Sequence, residues 1–309
     1  MSQASGAELP DYWFYGLRLR TDLPLTALSP WPDNRGAADI DCRLGAVPER
    51  LEAPVWATQG MAMASDGSIL RRLGDMGRAL IRNGDTLRIA LSRPDPPELA
   101  MDAYLLAGLA TTLLHQRGDL PMHASAVETA GRALLFAGPA GGGKSTLAAW
   151  LAQEGYRLLS DDITVIRFQA DGTPLAVPGS PHPRLYDDAA ALVGVSELRL
   201  SARRSVGKRI WLRPAQELAP RPLAAIIRLA KDPALAKPTL ERLRGLAAIM
   251  PSEELWHGMP LARRLGRSLV LAGEMARIAA TVPVYRLTRP AARPNLPAIA
   301  DLVRNLPVL

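Results

Sequence analysis

The chain has 309 residues, 48% of them hydrophobic and 22% charged, the balance of an ordinary globular protein with one large domain or two smaller ones. Its single cysteine, Cys42, excludes an intrachain disulfide and a cysteine-built metal site. The net charge of +7 and pI of about 10.0 would suit nucleic acid, a membrane surface or an acidic peptide, but only four of the 37 Lys and Arg residues are lysine, which reads as a general arginine bias.

The first residues carry neither a basic start nor an apolar stretch, so no signal peptide is expected and the chain is placed in the cytoplasm. The run Tyr12-Trp13-Phe14-Tyr15-Gly16-Leu17-Arg18-Leu19-Arg20 reads as a strand, and 40–44 and 87–91 alternate as strands do. Turn signals at 33–36, 65–67 and 83–85 separate such runs. A small, β-rich N-terminal domain is therefore expected over 1–97, closed by the proline-rich linker Arg93-Pro94-Asp95-Pro96-Pro97.

A second, α/β domain is expected over 98–309. It opens with a helix at 98–117, whose apolar part is too short to span a bilayer. A strand follows at 120–128, a turn at Ala130-Gly131-Arg132 and another strand at 133–137. A helix from 146 ends near Glu154-Gly155, glycine being a common C-terminal cap. Strands are expected at 156–160, 163–166, 175–177, 209–212, 223–229 and 284–287, and helices near 186–193, 252–265, 268–280 and 296–306.

Between the strand at 133–137 and the helix from 146 lies Gly138-Pro139-Ala140-Gly141-Gly142-Gly143-Lys144-Ser145, a full match to the phosphate-binding loop G-x-x-x-x-G-K-[ST] in its strand–loop–helix setting. The spacing names a nucleoside triphosphate with magnesium as ligand. Glycines let backbone N–H groups converge on phosphate, with Lys144 neutralising charge and the Ser145 hydroxyl on Mg2+. A lysine kept at 144 in an arginine-biased chain supports that reading, because a guanidinium is the wrong shape there.

Asp161-Asp162 follows the next strand. One carboxylate could hold magnesium and the other accept a proton from an attacking hydroxyl, and neighbouring carboxylates are expected to raise each other's pKa. An ordinary metal-holding aspartate with a solvated neighbour explains the pair equally well. Taken alone, His123 reads as a structural residue, as do His115, His182 and His257. The basic stretch Arg203-Arg204 to Lys208-Arg209 reads as a solvated hairpin or as a lid over phosphate.

Taken together, Met122-His123-Ala124-Ser125-Ala126-Val127, the loop, and Gly155-Tyr156-Arg157-Leu158-Leu159-Ser160-Asp161-Asp162 resemble the catalytic core of the HPr kinase/phosphorylase family. The N-terminal Tyr15-Gly16-Leu17-Arg18-Leu19 and Asp22-Leu23-Pro24-Leu25 resemble the start of relatives found with lasso-peptide biosynthesis, which phosphorylate a C-terminal serine of a precursor peptide. The resemblance implies an ATP- and Mg2+-dependent serine kinase on a phosphate-loop kinase fold. It makes Asp162 the base, with Asp161 assisting it or the metal, and makes His123 a further active-site member. Lys144 remains with the transferred phosphoryl, Ser145 on the metal, and Thr146 among the nucleotide-binding residues. Thr146 stands where HPr kinases carry glutamate, which points to a smaller acceptor than HPr.

The expected partner is thus a precursor peptide or small protein, with no nucleic acid or membrane. A homo-oligomer is left open. The competing readings are a bifunctional kinase/phosphorylase acting on an HPr-like protein, a nucleotide-binding switch without transferase activity, and a nucleic-acid-binding ATPase supported by net charge alone.

Overall fold

The computed structural model describes residues 9–33, 36–93, 100–196, 207–214, 216–250, 253–291 and 295–307. Pro94 to Pro97 of the expected linker, and Arg203-Arg204 of the basic stretch, lie outside the described residues. The chain divides into two compact units, Met1–Arg117 and Gly118–Leu309.

The first unit is built on an eight-stranded sheet in the order β1-β2-β3-β8-β7-β6-β5-β4. Its strands are β1 (Asp11–Phe14), β2 (Leu17–Thr21), β3 (Ile40–Leu44), β4 (Trp56–Ala57), β5 (Met61–Met63), β6 (Ile69–Arg72), β7 (Gly77–Arg82) and β8 (Thr86–Leu91). The β2–β3 and β3–β8 pairs are parallel, and the other pairs are antiparallel. The run expected as one strand at 12–20 is a hairpin. Tyr15 and Gly16 both have positive φ, 52° and 74°, the two-residue turn that matches strand twist. Phe14, Leu19, Ile40, Cys42, Ile81, Leu87 and Ile89 are fully buried, which pushes the Cys42 thiol up to about 12 and makes it inert.

The helical segment expected to open the second domain belongs to the first unit. It consists of α1 (Ala100–Tyr104), a π-helical turn (Leu105–Leu109) and α2 (Ala110–Gln116). Polar side chains tie it to the sheet unit. Asp102 Oδ1 accepts from the backbone N–H groups of Thr26 and Ala27 at 3.0 and 2.7 Å. Arg71 donates to Thr112 Oγ1 at 3.0 Å, and Gln116 Nε2 donates to Gly67 O at 2.7 Å.

The second unit holds β9 (Leu120–Met122), β10 (Ala124–Thr129), β11 (Arg132–Ala137), α3 (Lys144–Gln153), β12 (Arg157–Ser160), β13 (Thr164–Phe168), β14 (Pro174–Val177), β15 (Arg184–Leu185) and α4 (Asp187–Val193). There follow β16 (Arg209–Ile210), β17 (Arg221–Asp232), β18 (Thr239–Leu243), α5 (Leu246–Ile249), α6 (Met259–Arg264), α7 (Ser268–Thr281), β19 (Val284–Pro290) and α8 (Leu296–Arg304). Its nine-stranded sheet runs β12-β10-β11-β17-β14-β13-β9, with β19 pairing β17 and β18. β11 lies parallel to β17, and β17 to β19, while β10 is antiparallel to both β11 and β12. Thus β12, β11, β17 and β19 end at the same edge, where ligands of α/β sheets bind.

Alternation along β11 builds a core on each face. Leu134 and Phe136 pack with α3, α4 and α8, while Ala133, Leu135 and Ala137 pack with α5, α6 and α7. Two sequence expectations change. The strand at 120–128 splits at His123, β9 pairing with β13 and β10 with β11 and β12. The helix at 252–265 is broken by Gly258 at φ 72°, leaving a 3-10 turn at Glu253–Leu255 ahead of α6.

Candidate functional site

The loop at 138–143 leaves the carboxyl end of β11 and enters α3. Gly138 has φ 142°, and a Cβ there would lie 2.8 Å from the Leu229 carbonyl oxygen, so only glycine fits. Gly143, at φ 103°, starts the helix with no side-chain cap. The first N–H groups of a helix have no partner within it, and Lys144, Ser145 and Thr146 line a cavity of about 770 Å3. Lys144 Nζ donates to the carbonyls of Gly138 and Pro139 at 2.8 and 3.2 Å. Burial lowers the Lys144 pKa, partly offset by the negative fields of Asp162 and Asp161.

Ala140, Gly141, Gly142, Gly143, Lys144, Ser145, Thr146, His123 and Asp162 share the wall of this cavity with Arg184, Lys208, Lys231 and Arg289. Gly138 and Pro139 act from behind it through their carbonyls. Asp161 also stands behind it, 5% exposed. Its Oδ1 accepts from Ser125 Oγ at 2.6 Å and its Oδ2 from Arg184 N–H at 3.0 Å.

Asp162 occupies a tight turn. Ile163 N–H bonds to Asp161 O at 2.9 Å, closing a three-residue loop around Asp162 at φ 70°. Turns of this kind are rare and strained, and such strain gathers at functional sites. The turn presents the carboxylate to His123 Nε2 at 3.6 Å, to His257 Nε2 at 3.8 Å and to the Arg184 guanidinium, which pairs with Oδ2. Burial by itself would raise the Asp162 pKa. The close approach of His123 Nε2 and the positive fields of Arg184 and His257 outweigh it and hold the carboxyl well below the usual range. This overturns the expectation of two carboxylates raising each other: Asp161 is engaged elsewhere, and Arg184 and the two histidines surround Asp162.

The two histidines are placed by the backbone. His123 N–H bonds to Leu255 O at 2.7 Å and His257 N–H to Pro121 O at 2.8 Å, on either side of a Met122–Trp256 bridge. Their rings stand at 89°, centroids 5.4 Å apart. His257, which the sequence reading treated as structural, therefore belongs to the site. Arg184 and Arg289 were likewise missed, since no motif marks them. His115 is buried at 2% exposure, and His182 accepts from Arg213 N–H at 3.1 Å with burial pulling its pKa down to about 4, as structural histidines do.

Among the described residues no group of three His, Cys, Asp or Glu could hold a metal by itself. Among the described residues no helix is long and apolar enough to cross a membrane.

No protein-family model matches the chain, and no curated protein matches it. A solved structure described as the HPr(Ser) kinase/phosphatase from Coxiella burnetii aligns with 60% of this chain and 94% of its own length, at 16% identity and a TM-score of 0.32. A likeness of that size carries no argument about the site, which rests on its own geometry.

Proposed function

We propose that the protein is an ATP-dependent serine kinase whose acceptor is a peptide or small protein. The observation that carries this reading is one cavity lined both by a glycine-rich helix entrance with Lys144 and by the strained Asp162 with His123. The first element suits a triphosphate, the second an acceptor hydroxyl.

In this reading the loop N–H groups and Lys144 hold the donor's terminal phosphates, and Arg184 adds positive charge where the phosphoryl group moves. Ser145 would hold Mg2+, which when bound supplies further positive charge to those phosphates; Asp161, expected on the metal, instead holds Ser125 and the Arg184 backbone behind the cavity. The seryl oxygen forms a bond to the γ-phosphorus as the bond to the departing diphosphate breaks. A carboxylate as acidic as Asp162 is a weak base. Its main service is to accept the hydrogen bond of the seryl O–H and aim the oxygen, taking the proton late in the transfer. His123 and His257 fix its two oxygens.

The C-terminal serine of a lasso-peptide precursor is the first candidate acceptor, on the strength of the sequence resemblance. Transfer of label from γ-labelled ATP to such a peptide tests the proposal, with loss in Asp162→Asn while ATP binding persists. Bound ATP with no candidate peptide or protein labelled would sink it.

A further inference from the structure

Three of the four lysines in an arginine-biased chain, Lys144, Lys208 and Lys231, line the same cavity. Among the described residues five cationic side chains face it, these lysines with Arg184 and Arg289, against the carboxylates of Asp162 and Asp188. One loop lysine and Arg184 serve the reacting end, which leaves a second group of cations to explain.

The sheet gives their order. Along the carboxyl edge, Asp161-Asp162 follows β12, on one side of the loop. Lys231 and Arg289 lie on the other side, as cross-strand partners on β17 and β19. The Arg289 guanidinium nitrogens Nε and Nη2 come within 3.8 Å of where a Cβ on Gly143 would stand. Nη1 donates to Pro290 O at 2.9 Å, which fixes the fork. Arg289 is only 8% exposed, whereas Lys231 is exposed. Next to them Leu229, Leu287, Leu296 and Ile299 give this end an apolar wall. Strands lie about 4.8 Å apart, so the backbone of Arg289 is two spacings, roughly 10 Å, from the line of β11, and its side chain reaches back towards Gly143. A donor whose terminal phosphate reacts beside Asp162 must extend past the loop in the opposite direction, over β17 and β19.

We infer that Lys231 and Arg289 form a second phosphate clamp, which holds the ribose-linked phosphate of a nucleoside triphosphate while the apolar wall takes its base. The inference rests on the nucleotide reading of the cavity. A guanidinium fork suits two oxygens of one phosphate, and a flexible ammonium beside it suits a third. The clamp makes the nucleoside end, and not only the polyphosphate, a determinant of donor choice.

Calorimetric titration with Mg2+ present tests it, using ATP and its analogue with sulfur on the α-phosphate against the wild type, Lys144→Ala, Lys231→Ala, Arg289→Gln and Arg289→Lys. Arg289→Gln is expected to weaken ATP about tenfold to a hundredfold. Lys231→Ala, at an exposed position where misfolding is not a concern, should weaken it several-fold, and Arg289→Lys should restore part of the loss. The wild type should bind one sulfur diastereomer worse than ATP, and that penalty should vanish in Arg289→Gln. Variants that bind ATP as the wild type does, or a sulfur penalty that survives in Arg289→Gln, overturn the clamp alone. A wild type that does not bind ATP, or a Lys144→Ala that binds it equally well, overturns the nucleotide reading and the clamp with it.

Discussion

At Asp162 the sign of the local field decides the chemistry. Arg184, His123 and His257 converge on one carboxylate in a strained turn, so it is ionised throughout the neutral range. Asp162→Asn keeps the shape but replaces the ionised carboxylate with a neutral amide that cannot take the proton, and kcat should fall by about 10²–10⁴-fold in the labelling assay. Arg184→Gln removes a charge that lowers the Asp162 pKa. The acidic limb of the pH–kcat/KM profile should therefore move to higher pH, and a limb that stays or moves down would refute that role. His257→Gln should move it the same way. Cys42 gives a pH prediction of opposite kind. Its folded thiol is raised to about 12 from an ordinary 9.0, so the native state keeps a proton that the unfolded chain releases. The stability tied to this thiol is complete below pH ~8.5 and is lost as pH rises towards 12. Urea midpoints of wild type and Cys42→Ala should converge across that window.

At the scale of elements, the loop and α3 were legible because backbone geometry demands glycine at set places. Gly138 is the clearest case, pressed against Leu229 O. Gly138→Ala should cost about 1–3 kcal/mol in unfolding free energy and weaken ATP binding. The hairpins at 15–16 and 130–131 share one turn conformation, yet only the second was expected. There Ala-Gly separates two apolar runs, whereas Tyr15 hides its turn inside an aromatic stretch. β9 and β10 read as one strand because the polarity pattern is continuous through His123. They part because one joins β13 and the other β11, which a linear pattern does not record. The segment at 100–116 shows the same limit. Its apolar periodicity predicts a helix without saying which sheet it serves, and that is settled by Asp102, Thr112 and Gln116. Asp102→Ala leaves the buried N–H of Ala27 and the part-buried N–H of Thr26 without their acceptor and should destabilise the first unit by roughly 1–3 kcal/mol, read by urea titration.

At the scale of the molecule, each unit has its own sheet, and the whole candidate site belongs to the second. Saturating ATP with Mg2+ should therefore raise the unfolding transition of residues 118–309, by about 2.7 kcal/mol at a hundred times Kd. Calorimetry of Lys144→Ala should show no such rise. What the sequence determined by itself is local: the glycine-rich turn with its lysine, the carboxylate pair and the alternating strands, each set by backbone sterics or hydrophobic period over a few residues. What only the tertiary structure decided is which distant side chains share a space. Asp161 turned away to Ser125, and Asp162 was surrounded by His123, Arg184 and His257. Arg289 came to the loop from a strand some 150 residues later in the chain. Strand order and parallel register at the carboxyl edge fix those meetings, and neither is written in any short stretch of residues.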